Sequence, residues 1–159
     1  MKFLALLLLL FSTNSWSQNQ TVSIKLNTNC TLILERSNFN KANHKFEYYK
    51  DNILIAIDGV PLFGTDGEMP KYKLEKATLK VGAKSYRLQT DYMYNPWFGD
   101  GPNKELYKII IHGKDYIIIQ GIFSDGAGTY GAEYLIRGNS CFRTILSDDD
   151  SILTEYFQQ

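Results

Sequence analysis

The chain has 159 residues, 18.2 kDa, with 17 basic and 17 acidic side chains and 44% hydrophobic residues. That composition excludes a disordered chain, and the length suits one domain rather than two independent cores. Near-neutral charge gives no general electrostatic pull on nucleic acid or on anionic lipid.

The first segment reads as an address. Lys2 supplies a positive start, Phe3 to Phe11 form an apolar run, and Ser15-Trp16-Ser17 places small residues where a signal peptidase reads them. Residues 1–17 are therefore expected to be a signal peptide, with a single all-β domain over 18–159. The apolar run is far shorter than the ~20 residues that cross a bilayer, so no membrane span is expected in the mature chain. Losing Lys2 leaves 16 basic against 17 acidic groups, a net charge of −1. The predicted location is secreted or periplasmic.

After Gln20 the dominant pattern is alternation with period two, the mark of half-buried strands. Val22, Ile24 and Leu26 alternate with polar residues, and Asn27-Thr28-Asn29 reads as a turn. Cys30, Leu32 and Leu34 share the inward face of the next strand. Phe46–Tyr49 and Ile53–Ile57 form a pair around Asp51-Asn52. Ala77, Leu79 and Val81 lead through Gly82-Ala83 to Tyr86 and Leu88. A Gly-X pair between two alternating runs fits a type II′ hairpin. The lysines between Lys71 and Lys84 alternate with apolar residues and read as a solvated sheet face.

Leu106–Ile111 and Tyr116–Phe123 are apolar on both faces. Such β-branched runs fit the centre of a sheet covered on both sides. Tyr130–Ile136 and Cys141–Leu146 make a last hairpin around Gly138-Asn139. In the tail, Ile152, Leu153, Tyr156 and Phe157 recur at helical spacing, and Ser147 with Asp150 fits a capping box. The same residues also fit a short strand. The predicted fold is all-β: an antiparallel sandwich or barrel of about eight to ten strands, with a possible short C-terminal helix.

In an exported chain, two cysteines point to one disulfide, here Cys30–Cys141. Closing so long a loop stabilises by ~4–5 kcal/mol in the chain-entropy account. Neither Cys sits in a Cys-x-x-Cys pair and only two His are present, so no metal site and no cofactor are expected. Asp148-Asp149-Asp150 lacks the ligand spacing of an EF-hand loop. The four Asp-Gly pairs read as turns.

His44 and His112 belong to no recognisable nucleophile motif. Loop carboxylates Asp66, Glu68, Asp100, Asp125 and Glu133 can supply a hydrolytic pair only if folding brings them together. The balance of residues leans away from an enzyme.

The most unusual segment is Tyr92-Met93-Tyr94-Asn95-Pro96-Trp97-Phe98-Gly99, with four aromatic rings inside a loop. Loop aromatics act as contact anchors because they bury much area at low entropy cost. A lid that buries its own rings uses the same residues. Pro61-Leu62-Phe63-Gly64 is a second such loop. The binding candidates are therefore Tyr92, Tyr94, Trp97, Phe98 and Phe63. The expected function is an exported, non-enzymatic protein-binding module, such as a periplasmic inhibitor or a toxin-immunity protein, with another exported protein as partner. The alternative is a β domain that binds carbohydrate or another small ligand.

Overall fold

A computed structural model of the chain describes residues 19–50, 52–99 and 103–157. The expected signal peptide and the mature terminus at Gln18 lie outside the described residues, as do Asp51, Asp100 and Gly101.

Two four-stranded antiparallel sheets form a sandwich-like arrangement. The first contains β1 (Gln20–Lys25), β2 (Cys30–Asn38), β6 (Tyr72–Val81) and β7 (Lys84–Leu88), in the order β1-β2-β6-β7. The second is a meander of β8 (Tyr107–His112), β9 (Tyr116–Phe123), β10 (Tyr130–Arg137) and β11 (Ser140–Ser147). A small sheet of β3 (Phe46–Tyr49), β4 (Ile53–Ile57) and β5 (Val60–Pro61) is inserted between β2 and β6. Helix α1 (Asp150–Phe157) follows β11 and packs on β9 and β10.

Alternation explains the core. Ile24, Leu32, Leu34, Ala77, Leu79, Tyr86 and Leu88 point inward from the first sheet and meet Ile119, Phe123, Tyr130, Ala132, Tyr134 and Ile136 from the second. Each fully buried large apolar side chain contributes roughly 1.5–3 kcal/mol relative to exposure. The turn between β6 and β7 works as expected, with Gly82 at φ +56. A bulge at Glu35/Arg36 leaves Glu75 as the extra residue of β6, so that Leu74 stays opposite Arg36 and faces the core.

Three expectations need correction. Cys30 and Cys141 are free thiols, so no disulfide joins them. Cys30 opens β2, an interior strand of the first sheet, opposite Val81. Cys141 lies on β11, an edge strand of the second sheet, which borders β7. The two cysteines thus stand on different sheets, and the border that β11 makes with the first sheet is at β7, two strands away from β2. Burial instead pushes the Cys141 thiol up from its usual range.

β8 is an edge strand, not a sheet centre, and Ile111 is 46% exposed. Its isoleucines reflect strand propensity, because the lateral position of a strand follows from the meander and leaves no mark in periodicity. The C-terminal segment is a helix, but its cap is Asp149 rather than a Ser147–Asp150 box. The Asp149 carboxylate accepts from the Ser151 and Ile152 amides and from the Ser151 hydroxyl, which holds it below the usual carboxylate range.

No helix among the described residues is long and apolar enough to cross a membrane.

Candidate functional site

Three loops meet at one end of the sandwich, and two tyrosines of β10 set their height. Tyr134 donates its buried hydroxyl to the Gln89 carbonyl at 2.8 Å, and Tyr130 donates to the Tyr94 carbonyl at 3.1 Å. Burial pushes both phenols well above their ordinary range. The 92–98 loop is thus fixed from beneath by the core.

Asn95 then ties the loops to one another. Its Oδ1 accepts from the Lys71 and Tyr72 amides, both at 2.9 Å, and its Nδ2 donates to the Gly64 carbonyl at 3.0 Å. Asn95 sits at φ +39, a left-handed conformation that Asn tolerates better than most residues. Gly64, at φ +96, packs against the backbone of Tyr94. A Cβ there would stand 2.6 Å from the Tyr94 carbonyl carbon, so only glycine fits. Ser124, buried and at φ +61, brings the third loop in, its hydroxyl 3.4 Å from the same Gly64 carbonyl. Backbone held in such sparsely populated regions clusters at functional sites.

The rim so assembled encloses a cleft of about 430 Å³. Asp66, Glu68 and Asp125 line it together with Lys71, Arg36 and Trp97. Arg36 is held rigidly. Its guanidinium carbon lies 4.2 Å from the Tyr72 ring centre and 4.7 Å from that of Phe98, and it donates to the Pro96 carbonyl at 3.0 Å and to Gln20. Trp97 is 43% exposed. Its indole lies against Gly99, where a Cβ would come within 2.7 Å of Cε2. Thr65 also lines the cleft, and its hydroxyl is buried without a hydrogen-bond partner among the described residues.

A second cleft of about 340 Å³ shares the 90–94 segment. There His44 Nδ1 lies 2.6 Å from Asp58, whose other oxygen accepts from the Lys45 amide at 2.8 Å. That amide bond, and then the His44 contact, hold Asp58 below the usual carboxylate range. Phe39 stacks on His44 at 5.0 Å and meets Tyr94 edge-on at 5.3 Å. Burial, reinforced by the Asp58 charge, pushes the Tyr94 phenol up to about 12. Nearby, Lys73 and Glu75 pair at 2.8 Å, which keeps Glu75 low.

The predicted anchors divide. Tyr94 and Phe98 are buried, Phe63 is half-buried against Tyr130, and only Tyr92 and Trp97 stay exposed. Tyr92 borders the second cleft and Trp97 the first, so the four rings make no common patch. Of the predicted carboxylates, Asp66, Glu68 and Asp125 come together in one cleft. Glu133 is elsewhere, bonded to Gln120 and Thr144, and Asp100 lies outside the described residues. His112 stacks on Tyr116 at the β8–β9 hairpin.

Sequence reasoning missed Arg36, Gly99 and the His44–Asp58 pair, and Asn95, which it offers as a polar partner for a ligand, instead ties the loops together. One signal was available for Arg36: it continues the inward run Cys30, Leu32, Leu34, and a charge at an inward position marks where a core opens into a site. Comparison with protein-family models, with curated proteins and with solved structures found no match.

Proposed function

We propose that this chain is an exported, non-enzymatic binding module that seats a carbohydrate or another small polar ligand in the loop-end cleft. The observation that carries the reading is the division of the aromatic loop. Tyr94 and Phe98 are buried, while Trp97 stands exposed over a concave cleft of ligand size that mixes charged and apolar side chains. A flat docking patch needs several exposed rings, whereas a cleft needs one platform and converging polar groups. The export step rests on Lys2, the apolar run Phe3 to Phe11 and the small residues Ser15 and Ser17.

Calorimetric titration of the exported protein with small polar ligands tests the cleft, with Trp97→Ala as the control. A ligand held equally well by that variant overturns the assignment. Ligand turnover that disappears in Asp125→Asn overturns the non-enzymatic part. The N-terminus of the exported protein, read by mass, tests cleavage after Ser17.

A second reading, a protein partner such as an exported enzyme or toxin, is favoured by a different surface. On the β3–β4 hairpin Tyr48, Tyr49, Ile53 and Ile55 are each about half exposed, between 47% and 53%. Capture of one stoichiometric protein, lost in Tyr49→Ser/Ile53→Ser and retained in Trp97→Ala, decides for it.

A further inference from the structure

We infer that the ligand of the loop-end cleft is an uncharged saccharide, one ring of which lies on the Trp97 indole; this rests on the reading of that cleft as the binding site. Three observations converge on that class.

The first is the platform. Trp97 is the exposed aromatic ring of a cleft whose lining sets carboxylates, cations and an amide beside Met69, Tyr72, Pro96 and Ala127. A ligand that matches both surroundings has an apolar face and a polar edge. A pyranose ring has that shape, with C–H groups on its face and hydroxyls around its rim. The indole is also held in place before any ligand arrives. It lies against Gly99, at φ +41, and the missing Cβ makes the room. Preorganisation of that kind removes an ordering cost from binding.

The second is the balance of donors and acceptors. Asp66, Glu68 and Asp125 only accept when ionised, whereas Lys71 and Arg36 only donate. A hydroxyl does both, so a polyol uses every group the cleft offers. An anionic ligand would use the two cations and face three carboxylates. A cationic ligand would use the carboxylates and face Arg36, which is locked between Tyr72 and Phe98 and cannot swing away. Opposite charges in near balance disfavour both.

The third is Thr65, a residue of the cleft lining whose hydroxyl is buried without a partner among the described residues. A buried hydroxyl in want of a partner is destabilising until a ligand or water supplies one.

The test uses the protein purified after export and three sets of oligosaccharides: neutral ones, including N-acetylated amino sugars, uronic acid oligomers and glucosamine oligomers. A fourth set holds non-saccharide polar metabolites. Calorimetry and tryptophan fluorescence report binding. We expect at least one neutral series to bind, with affinity falling tenfold or more in Trp97→Ala. Trp97→Phe keeps a ring and loses less. Gly99→Ala leaves the indole in the chain but displaces it, so it weakens binding severalfold. Asp125→Asn keeps an acceptor and removes a charge, so the salt dependence of binding changes little.

Binding of charged oligomers in preference to neutral ones overturns the inference. Binding of a non-saccharide alone, lost in Trp97→Ala, overturns it too and leaves the cleft reading standing. If no ligand of any set responds to Trp97→Ala in a protein with an unchanged thermal midpoint, both fall.

Discussion

Replacing Asn95 tests whether one side chain holds the loop end together. Asn95→Ala removes three hydrogen bonds, two accepted from the Lys71 and Tyr72 amides and one donated to Gly64. At a net value of about 1 kcal/mol each, that is about 3 kcal/mol. Alanine at φ +39 adds about 1 kcal/mol of backbone strain that asparagine largely avoids. Water reaching the exposed Lys71 amide recovers part of the loss, so the expected destabilisation is about 2–4 kcal/mol. Asn95→Asp separates the two arms. It keeps both amides satisfied and tolerates the same backbone, but it sets a carboxylate oxygen against the Gly64 carbonyl. Its expected cost is about 1–2 kcal/mol, one lost bond plus local repulsion. Urea unfolding of the three proteins gives both values, and the thermal midpoint of Asn95→Ala falls by roughly 10 °C at this chain length. An Asn95→Ala protein within 0.5 kcal/mol of the parent, with an intact cleft, would refute the reasoning (the threshold is about half of one net hydrogen bond).

Thiol titration without reductant finds two free thiols in the denatured protein, while in the folded state buried Cys30 stays silent and Cys141 reacts slowly; a denatured mass lower by two hydrogens with no titratable thiol contradicts this. Alkaline titration followed by tyrosinate absorbance is biphasic. Tyr94, at about 12, and the higher Tyr107, Tyr130 and Tyr134 lag behind the exposed rings. Because folding raises these values, their contribution to stability is complete below the ordinary phenol range near 10 and is lost as pH climbs through the folded values. Ionisation of all the tyrosines together near 10 in the folded protein counts against it. Asp149→Ala frays α1, seen as faster amide exchange at Ser151 and Ile152. Acidification does the same, since the carboxylate is depressed by folding and its contribution disappears as pH falls through the folded value.

Most of the scaffold was legible because its signal is local. The alternation of Cys30, Leu32 and Leu34, or of Ala77 and Leu79, follows from the two-residue repeat of a strand, and those side chains are buried as expected. The turns at Gly82 and Gly138 carry the positive φ that their glycines announce. What failed was non-local. Ile109, Ile110 and Ile111 look like a buried strand, yet β8 lies at an edge, because it is the first strand of the meander and, among the described residues, no strand pairs with its other side. The Cys30–Cys141 bridge failed for the same reason: two inward cysteines satisfy the pattern, and only the lateral order shows that β6 and β7 stand between their strands.

The aromatic loop shows why a site is harder to read than a core. Tyr92, Tyr94, Trp97 and Phe98 are equivalent by composition, but the loop has no period that assigns them to faces. Their fates are set by distant groups: Tyr130 anchors the Tyr94 carbonyl, Asn95 reaches Lys71 and Gly64, and Arg36 stacks on Phe98. Once those contacts exist, Tyr94 and Phe98 have nowhere to go but inward, and Gly99 leaves Trp97 a resting place at the cleft. The same segment therefore closes the end of the sandwich with two rings and leaves a third exposed at the cleft. Stability and the proposed recognition are separable within it. Asn95 substitutions act first on unfolding, and Gly99→Ala acts first on binding.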